Sequence, residues 1–225
     1  MLLLTLVAAL GAAVTLASIT ESAVAGDFVR VEEARYAAEA GLERALSDLP
    51  SIGDWTLALG GAATSTFTDG PPSGLRTLAD GTTVDLARVV NLANCGKATS
   101  CSSSDLTSNA TGQRPWGANN PVWRAFAYGP LSSLAGDGAI RSSCYLVVLV
   151  ADDPSETDGS PLVDGVTPCA IAQTPPACNP GSGAVALRAE AFGPRGAHRV
   201  VEAILERSAG PRPIRTRSQL TIGVR

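Results

Sequence analysis

The sequence predicts an α+β fold in which a long N-terminal helix, membrane-spanning and then amphipathic, packs on an antiparallel β-sheet. Three observations carry this expectation. Residues 1 to 20 hold no charged side chain, and fifteen of them are Met, Leu, Val, Ala or Ile. From Glu21 to Leu49 apolar residues recur at steps of three and four, and no proline occurs before Pro50. From Cys144 to Arg207 the chain turns to β-rich runs separated by turn signals.

A spanning helix needs ~20 mostly apolar residues to cross a hydrocarbon core of ~30 Å, and a helix satisfies its own backbone in lipid. Met1 to Thr20 fits that requirement. Beyond Glu21 the stripe Val24, Phe28, Val31, Ala34, Ala38, Leu42, Ala45 and Leu49 has the period of a buried helical face. Arg35 stands three residues after Glu32 and four before Glu39, spacings that pair charges on an exposed helix face. Pro50 disfavours helical geometry at Leu49, so the helix ends there. At ~1.5 Å per residue such a helix is roughly 70 Å long, more than one small domain covers. The remainder needs lipid or neighbouring chains. A cleaved secretory signal is the competing reading, because Ser22-Ala23-Val24-Ala25 before Gly26 contains an A-x-A-like site. Against it, no Lys or Arg precedes Arg30, and the apolar run exceeds the ~7–15 residues of a signal core.

Four parts follow: residues 1–49, the helix; 50–142, a loop-rich part of the globular domain; 143–209, its antiparallel sheet; and 210–225, a basic tail. Gly, Ser, Thr, Asn and Pro crowd 50–142, with strand candidates at Thr82 to Val90 and Val122 to Tyr128 and a polar surface loop from Ser100 to Gln113. Cys144 to Ala151 reads as a buried central strand. Ala184 to Phe192 alternates apolar with Arg188 and Glu190, turns at Gly193–Gly196, and returns as Arg199 to Arg207. The tail is either a disordered exposed segment or an extra edge strand, Gln219 to Val224, that docks on a sheet or a partner.

A net charge of −4 gives no nucleic-acid footprint. The sequence also points away from an enzyme. It has no phosphate-binding glycine loop after a strand, and its single histidine, His198, follows a turn where an exposed side chain is expected. Five cysteines leave the pairing open: Cys95–Cys101 and Cys169–Cys178 are the local pairs, Cys144 is odd, and Cys144–Cys169 is a further possibility. No C-x-x-C occurs, so zinc is not expected. The one candidate metal site is the acidic loop Asp152, Asp153, Glu156, Asp158 and Asp164, five carboxylates within thirteen residues. Crowded carboxylates repel, and Ca²⁺ accepts irregular sets of six to eight oxygens. The alternative is a solvated acidic loop.

Ala25-Gly26-Asp27-Phe28, and then Tyr36-Ala37-Ala38-Glu39-Ala40-Gly41-Leu42-Glu43-Arg44-Ala45-Leu46, resemble the N-terminal region of PilX-like minor type IV pilins. Val148 to Asp164 and Leu187 to Arg207 resemble the body of large pilin-like proteins. The resemblance covers roughly residues 1–49 and 143–208. It departs from the family in the basic leader, the cleavage-point Gly and the Glu at the fifth mature position, which alignment on Ala25-Gly26 places upstream of Met1. The resemblance implies a pilin-like fold and a minor pilin-like subunit of a type IV pilus, active in filament assembly or adhesion. Such a subunit is stored single-pass in the bacterial inner membrane and then sits in an extracellular pilus or periplasmic pseudopilus. Its partners are other pilins or pseudopilins, met through the N-terminal helix, with Val24, Phe28, Val31, Ala38, Leu42 and Leu46 as its filament or helix-packing residues. A type II secretion pseudopilin, or an anchored exported ligand-binding domain that does not polymerise, are the other readings. Calcium in such acidic loops is also known among pilin-like proteins.

Overall fold

The computed structural model describes residues 1–108, 114–136, 139–155, 160–165, 183–207 and 214–223. Helix α1 runs unbroken from Leu2 to Asp48. It closes in a single 3₁₀ turn, Leu49–Ser51, with Pro50 inside it, as the proline requires. The N-terminal part of α1 is long and apolar enough to cross a membrane, and none of its most apolar stretch is buried by the rest of the chain.

The C-terminal part of α1 lies on a five-stranded meander. Its strands are β3 (Arg124–Pro130), β4 (Tyr145–Asp152), β5 (Ala184–Phe192), β6 (His198–Arg207) and β7 (Ile214–Gly223), side by side in that order. Every neighbouring pair is antiparallel. One face of the sheet, including Leu146, Val148, Leu187 and Val201, packs on Ala34, Ala37, Ala38, Leu42 and Ala45 of α1. The approach is close because that helix face is made of small residues. A Cβ placed on Gly41 would stand 3.1 Å from Val148 Cγ2.

The other face is covered by a second layer: β1 (Leu75–Thr77) and β2 (Thr83–Asp85), which form a hairpin, and helix α3 (Leu86–Cys95). Short helices α2 (Thr56–Leu59) and α4 (Ser103–Leu106) complete the elements. Tyr145, Val147, Leu149 and Ala151 pack there against Leu78, Leu86, Val89 and Trp123. All eight residues of β4 are therefore buried, which explains its unbroken apolar run. The Tyr145 hydroxyl donates to Asp69 at 2.9 Å, and Arg76 Nε donates to the same carboxylate at 3.0 Å, tying the hairpin to β4. Burial, reinforced by Asp69, pushes the Tyr145 phenol well above its ordinary pKa.

A β-bulge in β3 shapes the helix-side core. Ala125 pairs with Leu149 and Ala127 with Val148, leaving Phe126 as the extra residue. Phe126 and Ala127 consequently both enter the α1-facing core, whereas Ala125 and Tyr128 belong to the opposite layer. The end of α1 is pinned to the far end of β6. Trp55 Nε1 donates to the Leu49 carbonyl at 3.1 Å, and the Arg207 guanidinium lies over the Trp55 ring at 4.2 Å.

Three sequence expectations change. Thr82 to Val90 is not one strand: it yields the three-residue β2 and then α3. The Asp85 carboxylate caps α3 by accepting from the Ala87 N–H, and Gly96 ends it at φ 70°. The middle part and the tail are not separate from the sheet, since β3 comes from 50–142 and β7 from 210–225. The tail's edge-strand alternative is the one adopted, beginning earlier than expected at Ile214. The edge of β3 is shielded by Ser65–Thr68, through Ser65 N–H to Phe126 O and Tyr128 N–H to Phe67 O.

Candidate functional site

The helix stripe read from the sequence divides in two. Val24 and Phe28 are 64% and 65% exposed, and Val31 is half-buried. Ala38 and Leu42 are fully inside the chain's own core, and Leu46 packs against that core from its rim. Ala38 and Leu42 thus pack within the chain, helix against sheet. The reason is the sheet, whose small-residue contact takes the whole face from Ala34 onward. Within the apolar part, the hydroxyls of Thr5, Thr15 and Thr20 donate back to the carbonyls of Leu2, Gly11 and Leu16 at 2.8 to 2.9 Å. These three threonine hydroxyls are satisfied inside the helix, as lipid demands. Beyond it, ion pairs dress the surface: Arg30 with Asp27, and Arg35 with both Glu32 and Glu39.

The described carboxylates of the acidic stretch, Asp152, Asp153 and Asp164, are buried. Asp153 is fully buried; its Oδ1 accepts from the Ser155 N–H and hydroxyl, and Arg217 stands 3.6 Å from its Oδ2. Asp152 ends β4 and is buried. Asp164 accepts from the Gly183 N–H at 2.7 Å, and burial pushes its carboxyl up. Among the described residues no three His, Cys, Asp or Glu side chains converge into a set that could hold a metal ion. Glu156 and Asp158 lie outside the described residues. Cys95 and Cys101 form a disulfide. Cys144 is a buried thiol whose pKa burial raises, so the Cys144–Cys169 alternative is not adopted. Cys169 and Cys178 lie outside the described residues.

His198 is not the exposed turn residue expected. It opens β6, stacks on Phe192 at 4.3 Å, and contacts Glu190 at 2.9 Å. Glu190 also receives Arg188 Nε at 2.6 Å, and Arg188 reaches Glu202 at 2.6 Å. Burial pushes the Glu190 carboxyl up, but the His198 hydrogen bond and the Arg188 charge outweigh it, so its pKa is lowered in the folded chain. A lowered folded-state pKa stabilises above the unfolded carboxyl value of ~4.3, and that stability is lost as pH falls through the folded-state pKa. Urea melts followed from about pH 7 to about pH 3 are therefore expected to show falling stability on the acid side of ~4.3. Arg188→Met, which removes the charge holding the pKa down, flattens that slope. An identical acid slope in the variant excludes this account.

A cavity of about 850 Å³ opens on the same face of the sheet. Its floor is Ala186, Arg188, Glu202, Ile204 and Leu220 from β5 to β7; its wall is Leu92, Trp116 and Trp123 from α3 and the loops after it. The volume is within the range of sites for small organic ligands, roughly 300–1,000 Å³. Sequence reasoning missed this cavity, because its walls come from segments a hundred residues apart. The available signal was Trp116 and Trp123 in a polar stretch.

Comparison of the chain with family models, with curated proteins and with solved structures gives no match.

Proposed function

We propose that this chain is a minor pilin-like structural subunit of a type IV pilus, acting in filament assembly or adhesion. The observation that carries the reading is the division of α1: Ala34, Ala37, Ala38, Leu42 and Ala45 are buried on the sheet, while the apolar segment from Leu2 to Ile19 is bare along its whole length. A single rod both anchors the chain in a bilayer and, when extracted, presents a continuous apolar surface. That surface needs other helices to cover it. The body carries the sheet, the disulfide-closed loop and the cavity, and decorates the filament. The same division suits a secretion pseudopilus, so the machine is identified by where the subunit is recovered.

The test uses the intact chain with a photoreactive amino acid at Phe28, and in a second version at Leu75, an exposed residue of the domain. Phe28 is expected to cross-link to other pilins in filaments sheared from the cell surface, and Leu75 far less. A chain found in the membrane fraction with no cross-links from Phe28 removes the filament role and leaves an anchored exported domain.

A further inference from the structure

The cavity over β5–β7 has a rigid wall, a balanced charge and an exposed indole, and we propose that it binds a neutral oligosaccharide. The inference does not depend on the pilin reading.

The wall is held by more ties than a surface loop needs. The Asn94 side chain exchanges two hydrogen bonds with the Trp123 backbone, donating to its carbonyl at 3.0 Å and accepting from its N–H at 2.8 Å. Asn120 Nδ2 donates to the carbonyls of Leu106 and Ser108, and its Oδ1 accepts from the Trp116 N–H at 3.1 Å. Arg114 Nη2 donates to the Leu106 carbonyl at 3.2 Å. The Cys95–Cys101 disulfide closes the loop after α3. Ser102 and Asp105 cap α4 reciprocally, and Lys97 bonds Asp105, whose carboxyl is held down at about 2 chiefly by that lysine. Groups fixed in advance lose little freedom on binding. The Asn94, Asn120 and Arg114 bonds fix the segment that carries Trp116 and Trp123 directly, and the others hold the neighbouring loop.

Charge narrows the ligand. The lining holds two acids, Asp105 and Glu202, and two arginines, Arg114 and Arg188. Arg188 and Glu202 pair at 2.6 Å. A site so balanced draws neither an anion nor a cation strongly. Ser218 and Gln219 add polar side chains to the lining. Trp116 is 43% exposed and Leu220 62% exposed, an apolar surface set beside polar groups. A pyranose matches this pattern: its hydroxyls bond around the ring edge, and its C–H face packs on the negative face of an indole.

The experiment uses the full chain in nanodiscs, so that no sugar-headed detergent competes. Cellotriose, chitotriose and mannotriose are titrated while indole emission is followed. At least one should bind saturably, with Kd in the millimolar range or tighter, and added salt should not weaken it. Trp116→Ala should weaken that sugar about tenfold or more, and Trp116→Phe should recover most of the loss. Leu220→Arg, made on an exposed strand, should weaken it too while leaving the melting curve in place. The proposal is overturned if none of the three sugars binds, or if Trp116→Ala and Leu220→Arg both bind as the parent does. It is equally overturned if only sialyllactose or an acidic peptide binds, in a manner that salt abolishes.

Discussion

Replacing Leu10 and Val14 together with arginine is expected to release the chain from the membrane. The two side chains lie one helical turn apart on the bare part of α1. Arginine at the centre of a span costs about 2.5–3.5 kcal/mol, so the pair shifts partitioning by roughly four orders of magnitude. The fraction that resists extraction by alkaline carbonate should fall to the level of a peripheral protein. Leu75→Arg, on the exposed surface of the domain, should leave that fraction unchanged. If the double variant stays integral, α1 is not the anchor. Filament cross-linking from Phe28 should disappear with it, since a chain that never enters the bilayer cannot be extracted from it.

The second large effect is expected at the bulge. Phe126→Ala removes a fully buried ring from the cluster that contains Trp55, Leu59 and Leu131. Truncating such a ring costs about 3–5 kcal/mol, because the cavity left behind collapses only in part. For a chain of this size the melting temperature should drop by about 10 °C. Arg124→Ala, at an exposed neighbour in the same strand, should change stability by less than about 0.5 kcal/mol. Thermal melts followed by circular dichroism separate the two. Equal effects would mean that Phe126 is not committed to the helix-side core. The expectation depends on the bulge: in an unbroken alternation only one of Phe126 and Ala127 could face α1.

The parts of this fold legible in the sequence are those in which one face decides the pattern. α1 was readable because its buried stripe repeats at helical spacing up to Pro50. β4 was readable because both layers press on it, and β5 and β6 because their α1-facing residues are buried while Arg188 and Glu202 face the other way. Thr82 to Val90 misled because Val84, Val89 and Val90 favour strands, while the capping pair that sets the helix, Asp85 and Gly96, lies at and beyond the boundary. β7 was ambiguous because Arg215 through Thr221 are exposed, so burial imposed no pattern on them. Only the open edge of β6 makes that segment a strand. The ion network around Glu190 depends on register, with Arg188 directly across from Glu202, and register is not written in either strand alone.

The seam between α1 and the sheet also sets how the molecule carries load. A pull on the N-terminal rod acts along the helix axis and tries to slide Ala34 through Ala45 across β4, β5 and β6. All of those contacts resist at once, in shear, instead of opening one after another as a peeled edge does. Val148, standing against Gly41, acts as a detent that must be ridden over before any slip begins. Tension entering through the N-terminal rod is thereby spread over the whole core, and the globular part follows the rod as a solid body.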